Sequence, residues 1–307
     1  MYEFSQLRRG LKNPNLFARE ANRLYHRRLN TREYNEDGVD VMAEDWDNLL
    51  ILDACRYDMF EANANLPGRL KSRESRGSAT VEFLRANFTN RDVRDTVYVT
   101  ANPQLHRNFD RIDPEFHAIE NVWLEDGWDE QYQTVLPETT TEYALDAAEE
   151  YDNKRFIVHY IQPHYPFITE ETSFDKGYLD DPESDSRDFW GRKMESELDV
   201  SATEIWQSYT ETLNRTLPHV ERLMDELDGK TVVTADHGNM VGERATPFPV
   251  REWGHPRGMY TDELVRVPWL VDDRGERRDV VAEDATESEA VDDDVVADRL
   301  KQLGYAE

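Results

Sequence analysis

An α/β fold with a mostly parallel central sheet and helices on both faces is predicted by three features of this 307-residue sequence. Short apolar, β-branched runs recur at residues 48–53, 96–100, 156–161 and 231–235. Segments of helical character lie between them, at 80–87, 139–151 and 201–227. The runs lack polar alternation, as strands buried on both faces do, and strand–helix alternation is the mark of parallel crossovers.

Taken in order, residues 1–30 carry seven basic residues (Arg8, Arg9, Lys12, Arg19, Arg23, Arg27, Arg28) and two acidic ones. From Pro14 onward, Leu16, Phe17, Leu24 and Tyr25 between the arginines predict a basic amphipathic helix. Two roles fit it: docking on the acidic body by charge, or touching anionic lipid as a peripheral membrane contact. Residues 1–45 are therefore set apart as a basic helical segment. The run Leu49-Leu50-Ile51-Leu52 reads as a buried strand ending at Asp53, and Gly77-Ser78 precedes a helix. The stretch 169–197, with Asp180-Asp181-Pro182-Glu183, is polar and reads as an insertion or lid. The helix over 201–227 is expected to break near Pro218. Residues 46–271 then form the main domain. The region 272–298 holds twelve acidic residues against three arginines, so 272–307 reads as a solvated acidic linker before a terminal helix at 297–303.

The formal net charge is −29, and only seven of the 36 basic residues are lysine. Mean hydropathy is −0.83. This acidic, Arg-biased surface matches a halophilic protein, and its field argues against nucleic acid as a partner. Cys55 is the one cysteine, which excludes an internal disulfide and a cysteine-based zinc cluster. The sequence has neither an apolar run long enough to span a bilayer nor an apolar signal core near residue 1, so the expected location is cytoplasmic.

Chemistry-bearing residues gather after the apolar runs. Asp236-His237-Gly238 follows one run and Asp53 ends another. A carboxylate and an imidazole at a strand's C-terminal edge suit either a divalent-metal site or a simple strand-closing turn. In Gly77-Ser78-Ala79-Thr80, a hydroxyl at a helix start suits either a nucleophile at the positive helix end or an N-cap with Glu82 reaching back. His164, in Gln162-Pro163-His164-Tyr165-Pro166, and His255, in Trp253-Gly254-His255-Pro256, sit in stiff loops.

In this order the motifs resemble the alkaline phosphatase/sulfatase superfamily over roughly residues 46–271, and residues 299–305 resemble many sulfatase-like C-termini. The resemblance implies one divalent metal ion (Mn²⁺, Mg²⁺, Ca²⁺ or Zn²⁺) held by Asp53, Ser78, Asp236 and His237. Oxygen-rich ligation with one histidine suits Mn²⁺ or Ca²⁺ somewhat better than Zn²⁺. Ser78 is the expected nucleophile, because Glu82-Phe83 resembles the nucleophile helix of the lipoteichoic-acid-synthase-like branch; Thr80 is the reserve. His164 and His255 are expected to act on the leaving group or substrate oxygens, with Arg56 and Thr80 as further substrate contacts. Two departures matter. No Cys-x-Pro-x-Arg signature for formylglycine is present, and residues 214–218 lack the Asp-x-x-x-His of two-metal branches. The expected function is a metal-dependent hydrolase or transferase on a phosphate ester, glycan- or lipid-linked, through a serine nucleophile and a covalent intermediate. The alternatives are a sulfate-ester hydrolase and a non-catalytic binding relative.

Overall fold

In the computed structural model, residues 15–169, 189–194, 196–286 and 293–305 are described. The basic segment forms α1 (Asn15–His26). The run after Asp47 becomes β1 (Asn48–Leu52), followed by α2 (Tyr57–Asn63), β2 (Arg69–Glu74), α3 (Thr80–Phe88) and β3 (Asp92–Thr100). Two single-turn helices, α4 (Gln104–Arg107) and α5 (Phe109–Ile112), lead to β4 (Glu115–Asn121). A small ladder of β5 (Trp128–Asp129) and β6 (Thr134–Val135) precedes α6 (Pro137–Glu150) and β7 (Arg155–Tyr160). Next come α7 (Phe189–Met194), α8 (Ala202–Glu226) and β8 (Thr231–Thr234). A hairpin of β9 (Met240–Arg244) and β10 (Arg251–Gly254), then α9 (Asp262–Val265), β11 (Arg266–Asp272) and α10 (Asp293–Gln302), complete the order.

Seven strands form one sheet in the order β2-β11-β8-β1-β7-β3-β4. The five strands β8, β1, β7, β3 and β4 are mutually parallel, and β11 runs antiparallel to both its neighbours. Side chains alternate between two cores. Leu49, Ile51, Tyr98 and Ile157 pack under α3 with Phe83, Leu84 and Phe88. Leu50, Leu52, Val99 and Val158 face α6 and α8 with Ala144, Leu213, Val220 and Leu223. Helices thus cover both faces.

The four expected strands are present within one or two residues, except that β3 begins four residues earlier than position 96. The strands that sequence reasoning did not anticipate are mainly edge and reversed ones. β2 reads Arg-Leu-Lys-Ser-Arg-Glu and is largely open to solvent, as a charged edge strand should be. The expected break at Pro218 does not occur, and α8 is one 25-residue helix opened by a Ser201–Glu204 capping box. Buried Leu213, Leu217 and Val220 hold both sides of the proline against the core, which offsets the hydrogen bond it forfeits.

Most of the expected lid at 169–197 lies outside the described residues. Its described part, α7, inserts Phe189 and Trp190 into the core rather than into solvent. The acidic stretch 272–286 is tied to the N-terminal edge of the sheet. Arg277 pairs with Asp45 and Asp47, Lys154 bonds to the Val281 carbonyl at 2.8 Å, and the Thr286 N–H donates to the His117 carbonyl. α10 then lies at the opposite edge, beside α4.

Candidate active site

Parallel strands deliver their following residues to one edge, and four strands converge there. Asp53 follows β1, Asn102 follows β3, His164 follows β7, and Asp236-His237 follows β8. The turn after β1 is held from three sides. Ala54 adopts a left-handed φ of 60°, its N–H donates to Asp236 Oδ1 at 3.0 Å, and its carbonyl accepts from the Tyr209 hydroxyl. A left-handed non-glycine residue between two site carboxylates is backbone strain stored at a functional position. After β8 the chain passes so close to α9 that a Cβ on Gly238 would lie 2.1 Å from the Glu263 carbonyl oxygen. Only glycine fits there.

Two carboxylates and two imidazoles meet in this edge, all essentially without solvent exposure. Asp236 Oδ1 accepts from the N–H groups of Ala54 and His237, which leaves Oδ2 turned inward. Asp53 Oδ2 accepts from Asn102 at 2.6 Å and from the Tyr305 hydroxyl at 3.0 Å, which leaves Oδ1. His237 Nδ1 bonds the Gly238 carbonyl at 2.7 Å, so its Nε2 lone pair points 3.6 Å from Asp53 Oδ1 and 3.4 Å from Asp236 Oδ2. His159, from inside β7, lies with Nδ1 2.8 Å from the Tyr98 hydroxyl and Nε2 3.8 Å from both carboxylates.

These residues fit a divalent cation. Asp53 Oδ1, Asp236 Oδ2 and His159 Nε2 are buried without a hydrogen-bond partner among the described residues. One atom from each of Asp53, His159 and Asp236 can fall within 4.8 Å of the others. Burial, and then the Asp236 carboxylate beside it, push the Asp53 carboxyl well above the usual range. Burial lowers His159 to about 4, so its ring is the neutral form a ligand needs.

Thr80 and Ser78 occupy different environments. Thr80 opens α3, with Oγ1 3.4 Å from Asp53 Oδ2, 3.3 Å from His237 Nε2 and 3.3 Å from the Tyr305 hydroxyl. Ser78 lies one residue before the N-cap Ala79. Its Oγ sits 2.8 Å from Glu82 Oε2 and 3.1 Å from the Pro256 carbonyl, and accepts from the Gly258 N–H at 2.9 Å. Glu82 is held in turn by Arg27 at 3.0 Å. Ser78, expected as ligand and nucleophile, thus has its hydroxyl engaged at the helix start, and Thr80 is the hydroxyl facing the carboxylates.

Arg56, expected as a substrate contact, is engaged elsewhere. It forms ion pairs with Asp58 and Glu243 and lies over Trp206, 4.8 Å from the ring centre. His164 and His255 are brought to the site. The His255 ring lies tilted 4.7 Å from His237 and edge-on 4.9 Å from His164, centre to centre. Burial holds His164 near 4, and burial with the neighbouring rings lowers His255, so both are neutral. Tyr305 lies flat against His164 at 5.0 Å.

Asn102, His159 and Tyr305 were missed as site residues. Asn102 had the same post-strand signal as Asp53. Tyr305 lay in the terminal Leu303-Gly304-Tyr305, and His159 had no signal beyond its place in an apolar run. Above the carboxylates opens a cleft of about 570 Å³, lined by Thr80, His255, Tyr305, Trp190, Trp253 and the arginines 23, 107, 111 and 257, among others.

The Sulfatase family model matches residues 81–305, well over half of the chain. No curated protein matches. Among solved structures, similarity extends to the soluble domain of lipooligosaccharide phosphoethanolamine transferase A from Neisseria meningitidis, at 13% identity and TM-score 0.47, covering 73% of this chain and 75% of that one. The C-terminal periplasmic domain of phosphoethanolamine transferase EptC from Campylobacter jejuni gives 13% identity and TM-score 0.47, with 74% and 78% covered. A protein in the alkaline phosphatase superfamily from Vibrio parahaemolyticus gives 13% and 0.39, with 89% and 69% covered. The chain belongs to the Sulfatase family.

Proposed function

We propose that this protein cleaves or transfers a phosphate ester with Thr80 as the nucleophile. The observation that carries the reading is the position of Thr80 Oγ1, at the start of α3 and within 3.4 Å of both Asp53 and His237. A divalent cation held by Asp53, Asp236, His237 and His159 would polarise a phosphoryl oxygen and ease loss of the hydroxyl proton.

The residues of the chain account for the rest. The proton of Thr80 passes to Asp53 Oδ2, 3.4 Å away. Thr80 Oγ1 forms a bond to phosphorus as the ester oxygen leaves, and the N-terminus of α3 favours the negative charge around it. His255 faces the cleft as a neutral ring that can offer one N–H to a substrate oxygen. His164 donates through Nδ1 to the Tyr165 carbonyl, which keeps a lone pair on Nε2. That lone pair suits removal of the proton from the water or acceptor hydroxyl that displaces Thr80.

Turnover of an aryl phosphate and an aryl sulfate, each with added Zn²⁺ or Mn²⁺, tests the reading. Thr80→Ala should lower kcat on the phosphate by at least about 10³-fold, since the nucleophile itself is lost. Ser78→Ala should stay within about tenfold of the parent rate, the size of an indirect effect. Faster turnover of the sulfate than of the phosphate would favour the sulfate-ester reading instead.

A further inference from the structure

The wall of the cleft has a charge opposite to that of the molecule. Among the described residues, seventeen line it; four are arginine and none is aspartate or glutamate. The chain as a whole carries 65 acidic residues in 307 and a charge of −29. Arg111 and Arg257 make no ion pair within 4.0 Å among the described residues, although Asp110 and Asp293 line an adjoining cavity with Arg111. Arg257 has the Glu82 carboxylate near it, and Arg27 and Arg107 add like charge nearby.

The arginines are also placed in depth. Thr80 and His255 line this cleft and not the adjoining cavity. Arg107 of α4, Arg111 of α5 and Asn108 between them line both this cleft and the adjoining cavity, of about 730 Å³. The adjoining cavity has an apolar share from Leu105, Phe109, Ile119 and Val296. An anion at this junction would be separate from one at Thr80, with space beyond it for the rest of a molecule. The surrounding field repels a doubly charged ligand more than a singly charged one, so the local guanidinium groups must reverse that order if both are to be held.

We infer that Arg107, Arg111 and Arg257 form a second anion subsite, and that the preferred substrate carries another phosphate-class group besides the ester cleaved at Thr80. The inference rests on the Thr80 reading for the position of the first group. Its test uses binding rather than turnover. Full-length Thr80→Ala protein loaded with Mn²⁺, at fixed free metal, is titrated by calorimetry with propyl phosphate and with 1,3-propanediol bisphosphate. The bisphosphate should bind about 30-fold more tightly, a gain in the range of charge-assisted contacts. Adding Arg111→Gln with Arg257→Gln should remove that preference and leave propyl phosphate binding within about threefold. Arg69→Gln, distant from the cleft, serves as a charge control. Equal affinity for the two ligands, or a preference that survives the double substitution, overturns the subsite. The Thr80 reading would then still stand if propyl phosphate binds. Binding of neither ligand overturns both.

Discussion

Thr80 and Ser78 stand two residues apart in one Gly-Ser-Ala-Thr segment, yet only one of them faces the buried carboxylates. The distinction turns on where the helix begins. Because Ala79 is the N-cap, with an extended φ of −157°, Thr80 takes the first helical position and points along the sheet edge. Starting the helix two residues earlier would put Ser78 at that position instead, and helix ends are the least determinate feature of a sequence. Ser78→Ala should cost about 1–2 kcal/mol by loosening the helix start, read as a lower denaturant midpoint. The carboxylate pair carries its own pH signature. The Asp53 carboxyl titrates above its unfolded value, so it favours the folded state most below about pH 4 and loses that contribution as pH rises through the folded value. A bound cation removes the penalty. The gap in Tm between metal-loaded and chelated protein should therefore widen from pH 5 to pH 8, and Asp236→Asn should weaken metal binding by about 100-fold. A gap independent of pH would contradict this picture of paired, buried carboxylates.

Among the elements, the strand ends explain what could be read in advance. Asp53, Asp236 and His237 were legible because each lies just past an unbroken apolar run, where a charged residue has no structural reason to be buried. His159 was not, since inside β7 its face depends on the register with β1 and β3. Tyr305 was not, because its place depends on α10 folding back across the molecule to the C-terminal edge. Its hydroxyl holds Asp53 Oδ2 together with Asn102, leaving Oδ1 for a cation. Tyr305→Phe should weaken metal affinity by about tenfold in a competition titration, as removal of a ligand's hydrogen-bond partner does. α1 shows the reverse of the usual helix. It docks through Arg19 on Glu252 and Asn22 on the Phe248 backbone, while Phe17 is 47% and Tyr25 60% exposed. An apolar face beside arginines suits anionic lipid. The protein is expected to sediment with vesicles rich in phosphatidylglycerol, and Phe17→Ser with Tyr25→Ser to abolish this. Sedimentation unaffected by the double substitution would exclude α1 as the contact.

For the whole molecule, the parallel order of β8, β1, β7, β3 and β4 makes the site possible, because it gathers the ends of distant segments on one edge. The sequence alone predicted that layering from its apolar runs, while the charged edge β2 had too little apolar contrast to be seen and Pro268 interrupts the apolar run of the reversed β11. The excess of negative charge adds self-repulsion that salt should relieve. Tm should therefore rise between 0.1 M and 2 M KCl, and a flat or falling curve would show that the surface carries no such penalty. The central claim is that a threonine, and not the neighbouring serine, takes the phosphoryl group. Acid quenching during turnover of an aryl phosphate, followed by peptide mapping by mass spectrometry, tests it most directly. Phosphate on Thr80, absent in Thr80→Ala and retained in Ser78→Ala, is the expected result; phosphate on Ser78 would contradict it.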